Sequence, residues 1–240
     1  MTPAADPDSS LDRQPETGLR ADAERNRERI LAAARRLYAS HGLGVSMACI
    51  AREAGVGKAT LSRRFATPEE LINAVFADRM DAYAAATAEA LADPDPWHGF
   101  TGYIHTVCAM QAADRGFADV LTMTFPAAKA LEGRRAEAYD GFLELIARAQ
   151  ATGHLRADFT PQDLVILLMA NAGVVAATED AAPGAWRRLV GQMLRAYAAP
   201  GTDLPSLEQA PAHTALYRAM VRLTRPAPGS HGDAERPDGR

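Results

Sequence analysis

Apolar positions recur every three to four residues along most of this chain, and no segment sustains the period-two alternation of a half-buried strand. That pattern predicts an all-helical protein. A first helix over residues 23–40 would bury Ile30, Leu31, Ala34, Leu37 and Tyr38, with Gly42 as its stop. Ile50, Ala51 and Ala54 then share a helical face until Gly55 interrupts it, and a second short helix follows over 58–65. Gly takes positive φ without a Cβ clash, so Ala54-Gly55-Val56 reads as the turn of a helix-turn-helix. Thr67-Pro68-Glu69-Glu70 is a strong helix start, with a hydroxyl cap, Pro at the first helical position and Glu three residues after the cap. It opens a long helix to about residue 91, with Leu71, Val75, Phe76 and Tyr83 inward, ended by Asp93-Pro94-Asp95-Pro96. Further helices are expected over 97–113, 117–124, 127–152, 160–178, 183–198 and 213–224. Residues 1–22 and 225–240 are polar and rich in Pro, Asp and Gly, so both are expected to be disordered.

The second short helix carries the most specific chemistry. With Leu61 turned inward, Phe65 falls on nearly the same side at about 100° per residue. Ala59, Thr60, Ser62 and Arg63 then point outward, with Lys58 and Arg64 on the flanks. Cations can reach phosphates or guanine edges, and small groups allow close approach to bases, so this face suits the DNA major groove. The plainer alternative is a solvated basic helix. Charge distribution supports the first reading. The 240-residue chain carries −4 overall, yet residues 21–65 hold nine Lys/Arg against four Asp/Glu, a net of +5 that leaves −9 for the rest. Arg20, Arg25 and Arg27 could extend the basic surface as an arm along the phosphates.

The stretch IAREAGVGKATLSRRF, with the amphipathic helix before it and TPEELINAVF after it, resembles the DNA-binding domain of the TetR family of bacterial repressors over about residues 24–80. The resemblance implies an N-terminal three-helix helix-turn-helix domain (23–66) and a C-terminal helical regulatory and dimerisation domain (67–224), joined by a connecting helix over 67–91. It implies DNA contacts from Ser46, Lys58, Ala59, Thr60, Ser62, Arg63 and Arg64. Ser46 is also well placed as the cap of the helix it precedes. The chain departs from the family where Ser62 stands in place of a usual Tyr and Pro68 in place of a frequent Lys. The segments DPDPW, QAADRGFADV, RAQATGHLRAD and TPQDL resemble, more loosely, the regulatory domain of the SbtR-like branch.

Residues 164–177 form a helix apolar all round, which must be covered on every side. It could be the central helix of a single-chain body. The family instead implies a homodimer through the 161–178 and 183–198 helices, with Ala172, Gly173 and Ala176 permitting close approach. For a small, mostly apolar effector the candidates are Tyr103, Ile104, Val107, Cys108, Gln111, Phe117, Met123, Phe125, Tyr139, Phe142 and Asn171. Such residues are also ordinary core; Gln111 and Asn171 among apolar neighbours are what suggest a pocket.

Nothing points to a metal, a cofactor or an enzyme. His105 and Cys108 are three apart but lack further ligands at coordinating spacing, and no nucleophile–base pair or Gly-rich phosphate loop is present. Cys49 and Cys108 lie too far apart in sequence to suggest a disulfide framework. The N-terminus lacks signal-peptide architecture, and the 164–178 run, interrupted by Asn171, falls short of the roughly 20 apolar residues needed to span a bilayer. The expected place is therefore the cytoplasm, without membrane partners. A second reading keeps the helical dimer but, given Ser62 and Pro68, makes it an interaction or ligand-binding protein that reads DNA weakly.

Overall fold

The computed structural model describes residues 15–224, with side chains from residue 21 onward. Among them are ten helices: α1 (Pro15–His41), α2 (Met47–Glu53), α3 (Lys58–Arg64), α4 (Pro68–Ala92), α5 (Pro96–Ala113), α6 (Arg115–Thr122), α7 (Lys129–Ala151), α8 (Pro161–Thr178), α9 (Ala185–Tyr197) and α10 (His213–Leu223). No strand occurs among the described residues, apart from a single antiparallel bridge between Leu155 and Ala198. The all-α expectation holds, and each expected helix is present.

One boundary differs. α1 begins at Pro15 rather than near residue 23. Pro is tolerated in a first turn, where its missing N–H has no partner to lose, so the helix can extend back through residues expected to be loose. Arg25 and Arg27, already inside the expected span, stand on α1 paired with Asp22 and Glu24. Residues 1–14 and 225–240, both expected to be disordered, lie outside the described residues.

The chain divides into two compact units. The first contains everything described up to Ala85 together with Asp114–Ala138, so α6 and the start of α7 join the helix-turn-helix. Its core stacks Tyr38 on Phe76 at 6.0 Å between ring centroids, with Phe117 tilted against Phe76 at 6.2 Å. Gly116 makes this packing possible: a Cβ there would lie 2.8 Å from Tyr38 Cβ and 2.9 Å from Phe76 Cζ, inside any real contact distance. Asp119 on the same helix accepts a hydrogen bond from the Leu43 backbone N–H at 2.8 Å, fixing the loop that leads into α2.

The second unit contains Ala86–Ala113 and the described residues from Tyr139 onward. Its core is a chain of aromatic rings. Phe100 stacks on Phe142 at 6.2 Å, Tyr103 on Phe142 at 5.2 Å, and Phe159 meets Phe100 edge-on at 5.3 Å and Tyr197 at 4.8 Å. α8 opens at Pro161, where the Asp163 carboxylate accepts the Thr160 N–H at 2.7 Å. Its side formed by Leu164, Leu167, Leu168 and Asn171 is buried, but Val165, Ile166 and Met169 are 46%, 60% and 55% exposed. The central-helix alternative therefore fails within one chain. α8 is also longer than its apolar run suggested, and by length and composition alone it is the one described helix that could cross a membrane. Here the apolarity is spent on a buried side that hydrogen-bonds through Asn171 and an outer side still uncovered.

Candidate nucleic-acid interface

The helix-turn-helix is built by local contacts. Ser46 caps α2, its Oγ accepting the Cys49 N–H at 3.3 Å. At the other end Gly55 adopts φ +63°, and two hydrogen bonds close the turn: Gly55 N–H to Arg52 O at 3.1 Å and Val56 N–H to Ala51 O at 3.0 Å. This reciprocal pair with glycine in the left-handed region is a Schellman stop. Arg29 on α1 then clamps the turn from outside, donating to Gly55 O at 2.9 Å.

On α3, Leu61 is buried, and Phe65, the residue that ends the helix, is buried beside it. Lys58, Ala59, Ser62, Arg63 and Arg64 are exposed and Thr60 is half-buried. The helix carries three cations and no carboxylate. Arg63 folds its Nε onto Ala59 O at 3.1 Å, whereas Arg36 is engaged with Glu53 at 3.0 Å and Arg27 lies 6.0 Å from the Phe65 ring centroid. The arginines divide by position: Arg27, Arg29 and Arg36 of α1 reach the motif, and those of α3 face outward. Six of the seven residues expected at the interface thus lie on α3, five of them exposed and Thr60 half-buried. The seventh, Ser46, stands at the start of α2 as its cap. Pro68 opens α4, where Thr67 Oγ1 accepts the Glu70 N–H at 3.2 Å and Glu70 in turn accepts the Ala66 N–H at 2.7 Å. At this position a Lys would add a cation, and Pro adds a preorganised helix start.

The expected effector residues do not form one cluster. Phe117, Met123 and Phe125 belong to the first unit, because α6 and the start of α7 join it. Met123 and Tyr139 are 50% and 45% exposed, so neither lines an interior. The remaining seven, Tyr103, Ile104, Val107, Cys108, Gln111, Phe142 and Asn171, are buried in the second unit. Among them Asn171 Nδ2 donates to Gln111 Oε1 at 2.9 Å and to the Cys108 carbonyl at 3.2 Å. Asn171 Oδ1 and Gln111 Nε2 stay buried without a hydrogen-bond partner. A buried polar atom left unpaired costs about 1–3 kcal/mol, so the pair is an unfinished network rather than ordinary core. Burial pushes the Cys108 thiol up to about 12, which keeps it a protonated, small apolar group at neutral pH.

Sequence reading missed Phe159 and Tyr197 in this core, and missed Arg29 and Asp119 as supports of the motif. Phe159 sits in a connection, where periodicity gives no signal. Asp119 lies 76 residues from its partner, and nothing local marks it.

Residues 30–75 match the family model for bacterial regulatory proteins of the tetR family, and residues 95–195 match that for the C-terminal domain of SbtR-like transcriptional regulators. Together the two matches span more than half of the chain. Among solved structures, a TetR transcription regulatory protein from Mycobacterium vanbaalenii is 36% identical, covering 68% of this chain and 97% of its own, with a TM-score of 0.40. A TetR transcriptional regulator from Streptomyces coelicolor is 28% identical, covering 73% and 99%, with a TM-score of 0.46. A hemolysin II transcriptional regulator, 16% identical and covering 73% and 98% with a TM-score of 0.51, shares the fold.

Proposed function

This chain belongs to the TetR family of bacterial transcription regulators, which are ligand-responsive and DNA-binding, and from that membership we propose that it is a homodimeric repressor of a palindromic operator. The observation that carries the reading is the outer face of α3: three cations and small side chains, no carboxylate, over a buried Leu61 and Phe65. One short helix reads only a few base pairs, so two copies about 34–36 Å apart, one turn of DNA, supply the specificity. Lys58, Arg63 and Arg64 contact phosphates and base edges, and Ala59, Thr60 and Ser62 allow close approach. Ser46 caps α2 through its Oγ, which accepts the Cys49 N–H, and its O–H donates to a phosphate. The exposed stripe of α8 meets the same stripe of a second copy, with α9 beside it.

The effector is small and mostly apolar, held by the buried residues around Gln111 and Asn171. It carries at least one hydrogen-bonding group, such as a hydroxyl or amide, that accepts from Gln111 Nε2 and donates to Asn171 Oδ1. Binding there and DNA binding are coupled free energies, so the effector weakens operator affinity and operator DNA weakens effector affinity by the same factor.

Fluorescence anisotropy at physiological salt tests the reading. A duplex from the chain's own upstream region should bind at least about 10³-fold tighter than random duplex, as specific sites do. Equal affinity for both would overturn operator recognition and favour the reading of a helical dimer that acts through a protein or ligand.

A further inference from the structure

Residues 213–223 lie beyond residue 195, where the family match ends, yet they form a well-defined amphipathic helix, α10. A strap leads to it along α9: Arg195 donates to the Pro205 carbonyl at 2.7 Å and Arg188 to the Glu208 carbonyl at 2.5 Å. α10 then packs on α8. Ala215 is buried in a cluster with Ala182 and Ala185 against Val174, Ala219 is buried as well, and Arg222 pairs with Asp180.

This docking uses the small residues of α10 and leaves its large ones outside. Leu216, Met220 and Leu223, spaced i, i+4 and i+7, form one stripe beside the buried alanines, and Met220 is 64% exposed. Of the eleven large apolar side chains exposed among the described residues, eight stand on α8 and α10. A surface monomer seldom gathers its apolar exposure on two packed helices. The α8 stripe is narrow, since three large side chains give way to Ala172, Gly173 and Ala176. Stable dimers bury about 800 Å² on each partner, and the five large apolar side chains exposed on α10 add to the three on α8.

We propose that α10 is a further dimerisation helix, its Leu216–Met220–Leu223 stripe packing on the α8 and α10 face of a second copy of this chain. The inference rests on the dimer reading above and adds to it an element outside the family's matched region. Two-fold symmetry makes the contact self-complementary, so each substitution acts twice.

Sedimentation velocity on the full chain tests it. Leu216→Glu with Met220→Glu should raise the dimer dissociation constant at least about a hundredfold, because two carboxylates per copy would be desolvated without partners. Leu216→Ala with Met220→Ala should raise it several-fold, and Arg218→Glu, on the polar flank of α10, should leave it unchanged. Unaltered circular dichroism confirms that each variant folds. A parent-like constant in both double variants overturns the role of α10. If Met169→Glu on α8 still breaks that dimer, the dimer reading stands without α10. A parent chain that sediments as a monomer overturns both.

Discussion

The two units place their chemistry on opposite sides of their surfaces. In the first, the core is built on the aromatic rings of Tyr38, Phe76 and Phe117, and the informative side chains, Lys58, Arg63 and Arg64, stand outside. In the second, the outside of α8 and α10 is plainly apolar, and the informative groups, Gln111 and Asn171, are inside with unmet hydrogen bonds. A surface that reads a long charged polymer needs exposed cations on a rigid support. A site that captures a small apolar molecule needs the reverse, enclosure and a few polar atoms held ready.

The sharpest way to break this contrast is to damage the core of the second unit and the turn of the first. Phe142→Ala removes a ring that touches Phe100, Tyr103 and Phe159 and should cost about 3–5 kcal/mol in denaturant unfolding. A loss near 1 kcal/mol would mean that this core already contains free space. Gly55→Val puts a β-branched residue at φ +63° and a Cβ 2.6 Å from Arg29. It should destabilise the turn by about 1–3 kcal/mol, with faster amide exchange in α2 and α3 and loss of duplex binding. Normal exchange there would refute the strain.

Arg63→Ala sharpens the contrast from outside. Duplex affinity should fall by about 1–3 kcal/mol if the guanidinium reads a base, while the unfolding midpoint stays put because the side chain bonds only its own helix. Gln111→Leu with Asn171→Leu does the same from inside. Removing both polar partners together should change stability by less than about 1 kcal/mol and abolish effector response. A large loss of stability would show the pair to be structural.

A last expected effect is shared by both units. Burial, helped by Glu69 for Tyr38 and by Asp163 for Tyr197, pushes both phenols up to about 12 from an ordinary value near 10. The unfolded chain then releases these protons at lower pH than the folded one. Stability should be full below about pH 10 and decline as pH rises toward 12. Denaturation midpoints that stay level across that window would refute the shift.

Much of the first unit was legible because its determinants are close together. Gly55 stops α2 through partners three to five residues away. Leu61 and Phe65 define the inner side of α3 by spacing alone. Elements of the body were legible for the same reason, down to α10 outside the family pattern. The effector set was not. Its eleven residues were grouped by type and helix, and the fold assigned three of them to the first unit and turned Met123 and Tyr139 outward.

By itself the sequence determined the ten helices, the turn between α2 and α3 and the cationic face of α3, since hydrogen bonds within a helix and side-chain periodicity are fixed by neighbours along the chain. Only the tertiary structure decided that Asp119 holds Leu43, that Gly116 admits the Tyr38–Phe76 stack, that Gln111 and Asn171 pair but remain incomplete, and which side of α8 is left bare. Those outcomes depend on contacts between residues tens of positions apart, and close packing, which no local pattern encodes, selects among them.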